Sequence, residues 1–448
     1  MFKNHKKQTA RILSLLLIFI ITLPLLFSCN VEKQPLPPKE ELIAAMESAT
    51  SEANYYYTST YLDRWGFSCF YPAKLRDIEI LFRQNYYEEI PSSYELAKAT
   101  AKDFVDNKYD KIDITDITAV TTALIDSYIT AIGDKYAAYR LPEEYNEYHS
   151  DMSGEYCGIG ISIEYDRTLG TMRVTGVTEG SPAEEAGFMK NDYIIGVNGV
   201  SIEELGYEGT ASAIKGIEGT TVDVTVLRCD TELTLTATRR KLVDKTVYYK
   251  LFDDGIGYIQ ITSFKSNTAE YFGKALSYME ENDAIGIIFD LRSNPGGYLS
   301  SVLDILEYIA PDGYTTTSYS YRQDGQKKTE VHKTENPDAL DVPCAVLCNK
   351  STASAAELFT SAIRDYGEIG IIEEIIVGTQ TYGKGIMQNT HMLKDGATLT
   401  MTIAYYNPPL GQNYHGEGII PDVVVELTDS NDVQLSTALI ELLALISN

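Results

Sequence analysis

From Ile256 onward the chain alternates short apolar runs with stretches of helical periodicity, and that alternation restricts the folds open to it. Ile256 to Phe264 and Ile285 to Leu291 read as strands, with a helix from Ala269 to Glu280 between them. Leu299 to Ile309 is again helical, and the apolar run Val342 to Cys348 leads straight into a helix from Ala355 to Tyr366. Strands that alternate with helices build an α/β layer, and the sites of such layers lie where strands hand over to helices.

This layer is one part of a longer chain. At 448 residues the sequence exceeds one ordinary core, and about three domains are expected. Residues 40–150 have helical patterning and many tyrosines; Ile117 to Ile132, with Val120, Leu124, Tyr128 and Ile132 spaced by three or four, reads as one amphipathic helix. That region is expected to serve packing or homodimerisation. Residues 156–240 switch to short strands separated by glycine turns, residues 241–427 hold the α/β layer, and residues 428–448 read as a C-terminal helix. A hydrophobic fraction of 44% with 23% charged residues is that of a globular protein. The 37 basic residues against 64 acidic ones exclude a nucleic-acid binder, which needs clustered Lys and Arg.

The N-terminus is a targeting segment. Lys3, Lys6, Lys7 and Arg11 precede an apolar run from Ile12 to Phe27, followed by Ser28-Cys29, which marks residues 1–28 as a secretory signal peptide. Cys29 in this position resembles the lipidated cysteine of a bacterial lipoprotein, which implies an exported, membrane-anchored and extracytoplasmic protein. The alternative is an uncleaved anchor helix, of which Ser14, Thr22 and Pro24 would make a marginal span. Residues 29–39 form an extended, proline-containing linker. Five further cysteines, Cys69, Cys157, Cys229, Cys344 and Cys348, are an odd number and no disulfide framework. Cys344 and Cys348 lie about 13 Å apart along one strand, beyond the ~7 Å limit for a bridge, so core packing is expected of them. No metal-ligand spacing appears, and neither a metal nor any other cofactor is implied.

Three segments of the α/β layer carry chemistry. Asn349-Lys350-Ser351-Thr352-Ala353-Ser354-Ala355-Ala356-Glu357 places a serine where a buried strand ends and a helix begins, a position that favours developing negative charge. Taken alone it is equally a capping motif, with Ser354 as N-cap and Glu357 three residues on. Asp290-Leu291-Arg292-Ser293-Asn294-Pro295-Gly296-Gly297 is a strand followed by paired glycines, whose backbone amides can face an oxyanion. Thr381-Tyr382-Gly383-Lys384-Gly385-Ile386-Met387-Gln388 sets a lysine between two glycines, although any single lysine is more often a solvated surface group.

Two resemblances draw these segments together. Gly158-Ile159-Gly160-Ile161, Ser181-Pro182-Ala183, Ala186-Gly187-Phe188, Asn191 to Gly199, Ile214-Lys215-Gly216 and Gly219-Thr220-Thr221-Val222 resemble, in order, a circularly permuted bacterial PDZ domain. There Gly158, Ile159, Gly160 and Ile161 would bind a peptide's terminal carboxylate, while the adjacent strand edge takes up the peptide. The serine, glycine-turn and lysine segments, with the closing Tyr414-His415-Gly416-Glu417-Gly418-Ile419-Ile420-Pro421-Asp422, resemble the C-terminal processing (tail-specific) peptidases, which are Ser–Lys serine peptidases. The resemblance implies a multi-domain α/β protein: a helical N-terminal region, an inserted PDZ domain with a small β-barrel-like sheet and helices, and a ClpP/crotonase-like α/β peptidase core. It implies Ser354 as nucleophile, Lys384 as general base, Gln388 as its orienting residue and Glu357 as a supporting group. Backbone amides of Gly296 or Gly297 and of Ala355 would form the oxyanion hole. A free lysine, with a pKa near 10.4, must lose about three units to act as base, which burial away from carboxylates achieves. The expected substrates are exported proteins or peptides held by their C-terminal segments.

The sequence departs from the family at three points. Ala356 stands where a second serine is common, the Ser354–Lys384 stretch with Glu373 and Glu374 is long, and Pro408-Pro409-Leu410-Gly411 replaces a Pro-Ser-Gly turn. Two rival readings differ in class. A Ser-His-Asp hydrolase would have to draw its base from His149, His332, His391 or His415. A catalytically inert PDZ and peptidase-like scaffold would need neither Ser354 nor Lys384.

Overall fold

The computed structural model describes residues 71–447, apart from 114–115, 167–168, 324, 338 and 428–431. The signal segment, Cys29, the linker, Cys69 and residues 40–70 of the helical region lie outside the described residues. No helix among those described is long and apolar enough to cross a membrane.

The described residues up to Tyr139, with Leu399–Met401, belong to one compact unit. Its described α-helices are Tyr71–Asn85, Ser93–Asp103 and Ile117–Ile132. The last has the bounds that its apolar spacing predicts: Asp116 accepts from the Thr118 and Ala119 amides at its start, and Gly133 takes a left-handed φ of 90° to end it. Phe82 rests on Tyr86 and Tyr128, and Ile78, Leu96, Val120 and Ile125 complete an apolar core.

Nearly everything from Arg140 onward forms the second unit. Within it the antiparallel strands Ile161–Asp166, Thr171–Val177, Tyr193–Val197, Thr221–Arg228 and Thr231–Thr238 lie side by side in that order. With the helix Ile202–Ile214 they enclose a separate core around Val174, Ile194, Val224 and Val226. Glu155–Gly158 and Arg240–Val243 pair antiparallel, so the module leaves and rejoins the chain at one two-stranded neck.

The α/β layer is a six-stranded sheet. Val247–Leu251 pairs antiparallel with Ile256–Ile261; from there Gly286–Asp290, Cys344–Cys348, Glu374–Gly378 and Val423–Val424 follow in parallel. Every residue of Gly286–Asp290 and Cys344–Cys348 is buried, which is why these runs lack polar alternation. Ile287, Phe289, Cys344 and Val346 face the helices Thr268–Glu281, Leu299–Leu306 and Ala355–Glu368. Ile288, Ala345 and Leu347 face Ala438 and Leu442 of the helix Val433–Ile446. Cys344 and Cys348 are packing residues, and burial pushes the Cys348 thiol up to about 12. The helix and strand between Ser354 and Lys384 account for the length of that stretch: fourteen residues are helical, and Glu374 opens the next parallel strand.

Candidate active site

Three parallel strands end beside one another, and the loops that follow them carry the three motif segments. After Cys348 the chain turns sharply into the helix that begins at Ala355, and Ser354 sits at the turn with φ 58° and ψ −122°. A left-handed φ at a non-glycine residue costs on the order of 1–3 kcal/mol, and it persists only where surrounding bonds impose it. They do so here. Thr352, fully buried, donates its hydroxyl to the Leu291 carbonyl at 2.8 Å and accepts the Asn349 amide at 2.9 Å. The Thr352–Ala353 peptide is held from both ends: its N–H donates to the Asn294 carbonyl at 2.9 Å and its C=O accepts the Tyr382 amide at 3.0 Å. A trans peptide points these two groups in opposite directions, so the glycine turn and the lysine loop flank the peptide that leads into the serine on opposite sides.

The glycine turn is fastened by Asn294. Its side chain is fully buried, donates to the Ile261 carbonyl at 2.8 Å and accepts the Gly296 amide at 2.9 Å. Gly296, at φ 98°, packs so closely that a Cβ there would lie 2.7 Å from the Ser354 Cβ and 2.9 Å from the Ala355 nitrogen. Gly297 bridges to Phe264, where a Cβ would lie 2.1 Å from the Phe264 carbonyl oxygen. Both glycines are therefore required by space as well as by φ. Behind the turn Asp290 accepts from Tyr258 at 2.7 Å and pairs with Arg292, whose guanidinium also reaches Asp432.

On the other flank Glu357, fully buried in the first turn of the helix, joins the segments. One carboxylate oxygen accepts the Thr381 hydroxyl at 2.5 Å and the Gly383 amide at 2.6 Å. The other accepts the Ser354 amide at 2.9 Å and the Lys384 amide at 2.7 Å. The half-buried Lys384, thirty residues beyond Ser354, thus shares a carboxylate with it through the backbone. The closing motif backs this loop: Gly416 donates to the Gly383 carbonyl at 2.9 Å, Thr381 to that of Ile419 at 3.1 Å, and a Cβ on Gly383 would lie 2.9 Å from the Gly418 nitrogen. Tyr406 donates its hydroxyl to the Lys384 carbonyl at 2.9 Å.

Gln388 lies on the strand Ile386–Met392 and donates to the Thr402 hydroxyl at 3.5 Å. Ala355 supplies the first amide of the helix. In the other module Gly158 ends the neck strand, Ile159 is buried and Ile161 begins the edge strand, so the Gly158–Ile161 run crosses from neck to sheet. Among the histidines, His332 stacks on Tyr319 in the hairpin Thr315–Gln323/Gln326–Lys333, and burial pushes His391 down. His415 has its ring edge-on to Tyr405, with centroids 5.5 Å apart, and its amide on the Asn413 side chain. Reading the sequence did not single out Asn294, Thr352 and Thr381 within their motifs. Nothing but their place beside the serine, glycine and lysine could have marked them.

The profile of "Peptidase family S41" matches residues 255–425, and that of "PDZ domain" matches residues 173–228. The carboxyl-terminal-processing protease of Synechocystis sp. is 32% identical over 334 residues, covering 71% of this chain and 76% of that protein. The carboxy-terminal processing protease CtpA of Bacillus subtilis is 32% identical over 323 residues, 72% and 67% of the two chains. In fold, the crystal structure of an S41 protease candidate from Bacteroides fragilis superposes with a TM-score of 0.53 at 18% identity, covering 82% of this chain and 97% of the other. Two domain matches in sequence order and two relatives covered over two thirds or more of their length give one answer: the chain belongs to peptidase family S41, as a serine protease of the carboxyl-terminal processing group that carries a PDZ domain.

Proposed function

We propose that Ser354 and Lys384 form the dyad of this protease, acting on exported proteins or peptides near their C-termini. The observation that carries this reading is the Glu357 carboxylate, which holds the amides of Ser354 and Lys384 on one oxygen. Its lone pairs are directed at main-chain amides and a hydroxyl. The Ser354 hydroxyl attacks the scissile carbonyl while Lys384, neutral at that moment, takes its proton. The proton passes to the departing amine, and water then releases the acyl group from Ser354. Since the Gly296 amide is bound to Asn294, the amides of Gly297 and Ala355 are the better-placed oxyanion donors, with Gly296 shaping the turn. Gln388, four residues beyond Lys384, helps to orient the lysine. A serine-reactive fluorophosphonate should therefore label this protein at one residue, located by peptide mass spectrometry. Ser354 is expected; modification at Ser351 or Ser361 instead would overturn the assignment.

The PDZ module, residues 156–240, is assigned the capture of the substrate's C-terminal segment, with Gly158, Ile159, Gly160 and Ile161 receiving the carboxylate. Backbone donors make the free carboxylate matter more than side-chain charge. Calorimetry on the full-length Ser354→Ala protein should give weaker binding for a C-terminally amidated peptide than for its acid form; equal affinity would remove the loop from this role. Export on the signal segment, lipidation at Cys29 and homodimerisation through the N-terminal helices complete the proposal, and they rest on the sequence patterns.

A further inference from the structure

We propose that Tyr298 and Tyr382 are specificity-determining residues that grip apolar side chains on the two sides of the scissile bond. The inference deepens the dyad reading and rests on Ser354 as the nucleophile. Because the Thr352–Ala353 peptide is bonded in opposite directions, the chain segments carrying these two tyrosines stand on opposite sides of the peptide that leads into the serine.

On the lysine flank Tyr382 is 55% exposed, yet its backbone is fixed. Its own amide is bound to the Thr352 carbonyl at 3.0 Å and the next amide to Glu357 at 2.6 Å. A large ring left open to solvent on main chain pinned two residues from the nucleophile is poised for a ligand, because rigidity removes the ordering cost of contact. On the oxyanion flank Tyr298 directly follows Gly297, and its amide is bound to the Phe264 carbonyl at 2.7 Å. The ring is half-buried, within electrostatic range of Tyr145 and Tyr148 of the helix Pro142–Ser153. That helix is tied at its end to the loop beyond Phe264: Ser266 donates to the Ser153 carbonyl and Asn267 to that of Gly154. Arg140 covers Tyr148, 4.3 Å from its ring centroid. Phenol rings present flat apolar faces and lose little freedom on binding, which suits them to branched aliphatic and aromatic side chains.

The test uses the full-length enzyme and two matched sets of peptides that carry a free C-terminus. One set places Leu or Phe at the residues flanking the scissile bond, and the other places Gly or Ala there. Wild type is expected to favour the bulky set in kcat/KM. In Tyr298→Ala and Tyr382→Ala that preference should fall by about tenfold, the scale of a lost apolar contact. Tyr298→Phe and Tyr382→Phe should hold it, since the ring faces and not the hydroxyls make the contact. Fluorophosphonate labelling of Ser354 in each variant shows whether the nucleophile is still presented, which separates loss of a subsite from loss of the site. The proposal is overturned if wild type shows no preference, or if labelled alanine variants keep the full preference. If Ser354→Ala still cleaves both sets, the dyad reading fails instead, and the two failures are told apart.

Discussion

Ser354→Ala is expected to lower peptide cleavage by at least ~10³-fold while leaving the melting temperature near that of wild type, because removing a nucleophile typically costs orders of magnitude in rate. Alanine is no less at ease than serine at φ 58°, so the backbone strain is unchanged. Ser354→Gly should be equally inactive yet more stable by about 1 kcal/mol, since glycine relieves the left-handed backbone. Lys384→Arg should match Ser354→Ala in its loss. Guanidinium keeps the positive charge but does not deprotonate at accessible pH, so a base is lost while an electrostatic role would be preserved. His415→Ala should retain most of the activity, because its imidazole packs edge-on against Tyr405 and its backbone amide, which the substitution keeps, donates to Asn413. Substantial turnover by Lys384→Arg together with loss in His415→Ala would reassign the base to histidine. The pH profile separates the two bases independently, as a histidine base places the rising limb near its usual ~6.5.

The α/β layer was legible because its signals are local. Gly286–Asp290 and Cys344–Cys348 are buried on both faces, so each reads as an unbroken apolar run whatever its neighbours. The helix Ile117–Ile132 declares itself through Asp116, Gly133 and its apolar spacing. The sheet that contains Thr315–Gln323, Gln326–Lys333 and Thr398–Asn407 was less visible. Gln326–Lys333 is almost wholly exposed, and Thr398–Asn407 pairs with the distant strand Thr315–Gln323, so neither has a pattern that marks its pairing. At the site, Ser354, Gly296, Gly297, Lys384 and Glu357 could be picked out by motif, but the fasteners Asn294, Thr352 and Thr381 could not. Asn294 between two other turn residues looks like ordinary turn chemistry. Only the fold reveals that its side chain spans from the Ile261 carbonyl to the Gly296 amide. Glu357 was visible as a possible helix cap, and Ser354 does donate its amide to that carboxylate. What the sequence could not show is that the carboxylate also reaches Thr381, Gly383 and Lys384, which lie more than twenty residues further along the chain.

Glu357→Gln should therefore damage the enzyme more than loss of a helix cap would. A cap typically contributes about 1 kcal/mol. Here the carboxylate receives four donors in a fully buried setting: the Thr381 hydroxyl and the amides of Gly383, Ser354 and Lys384. An amide side chain offers one oxygen and one NH₂, so one pair of donors would meet another donor. Each unsatisfied buried donor costs about 1–3 kcal/mol, and a loss of ~2–5 kcal/mol in unfolding free energy is expected. Glu357→Ala, which leaves all four donors without the carboxylate, should lose more. Activity should suffer separately and more heavily. With the tie cut, the serine turn and the lysine loop no longer share a fixed reference, and misplacement of reacting groups by about 1 Å can cost ~10²-fold. Well below the variant's melting temperature, kcat for Glu357→Gln should therefore fall by about that factor, with a parallel fall in the rate of fluorophosphonate labelling at Ser354. Thr381→Val removes one of the four donors and leaves the carboxylate in place, so its kcat should fall far less. A Glu357→Gln protein with wild-type kcat and labelling rate would show that the serine and lysine segments are aligned without this carboxylate.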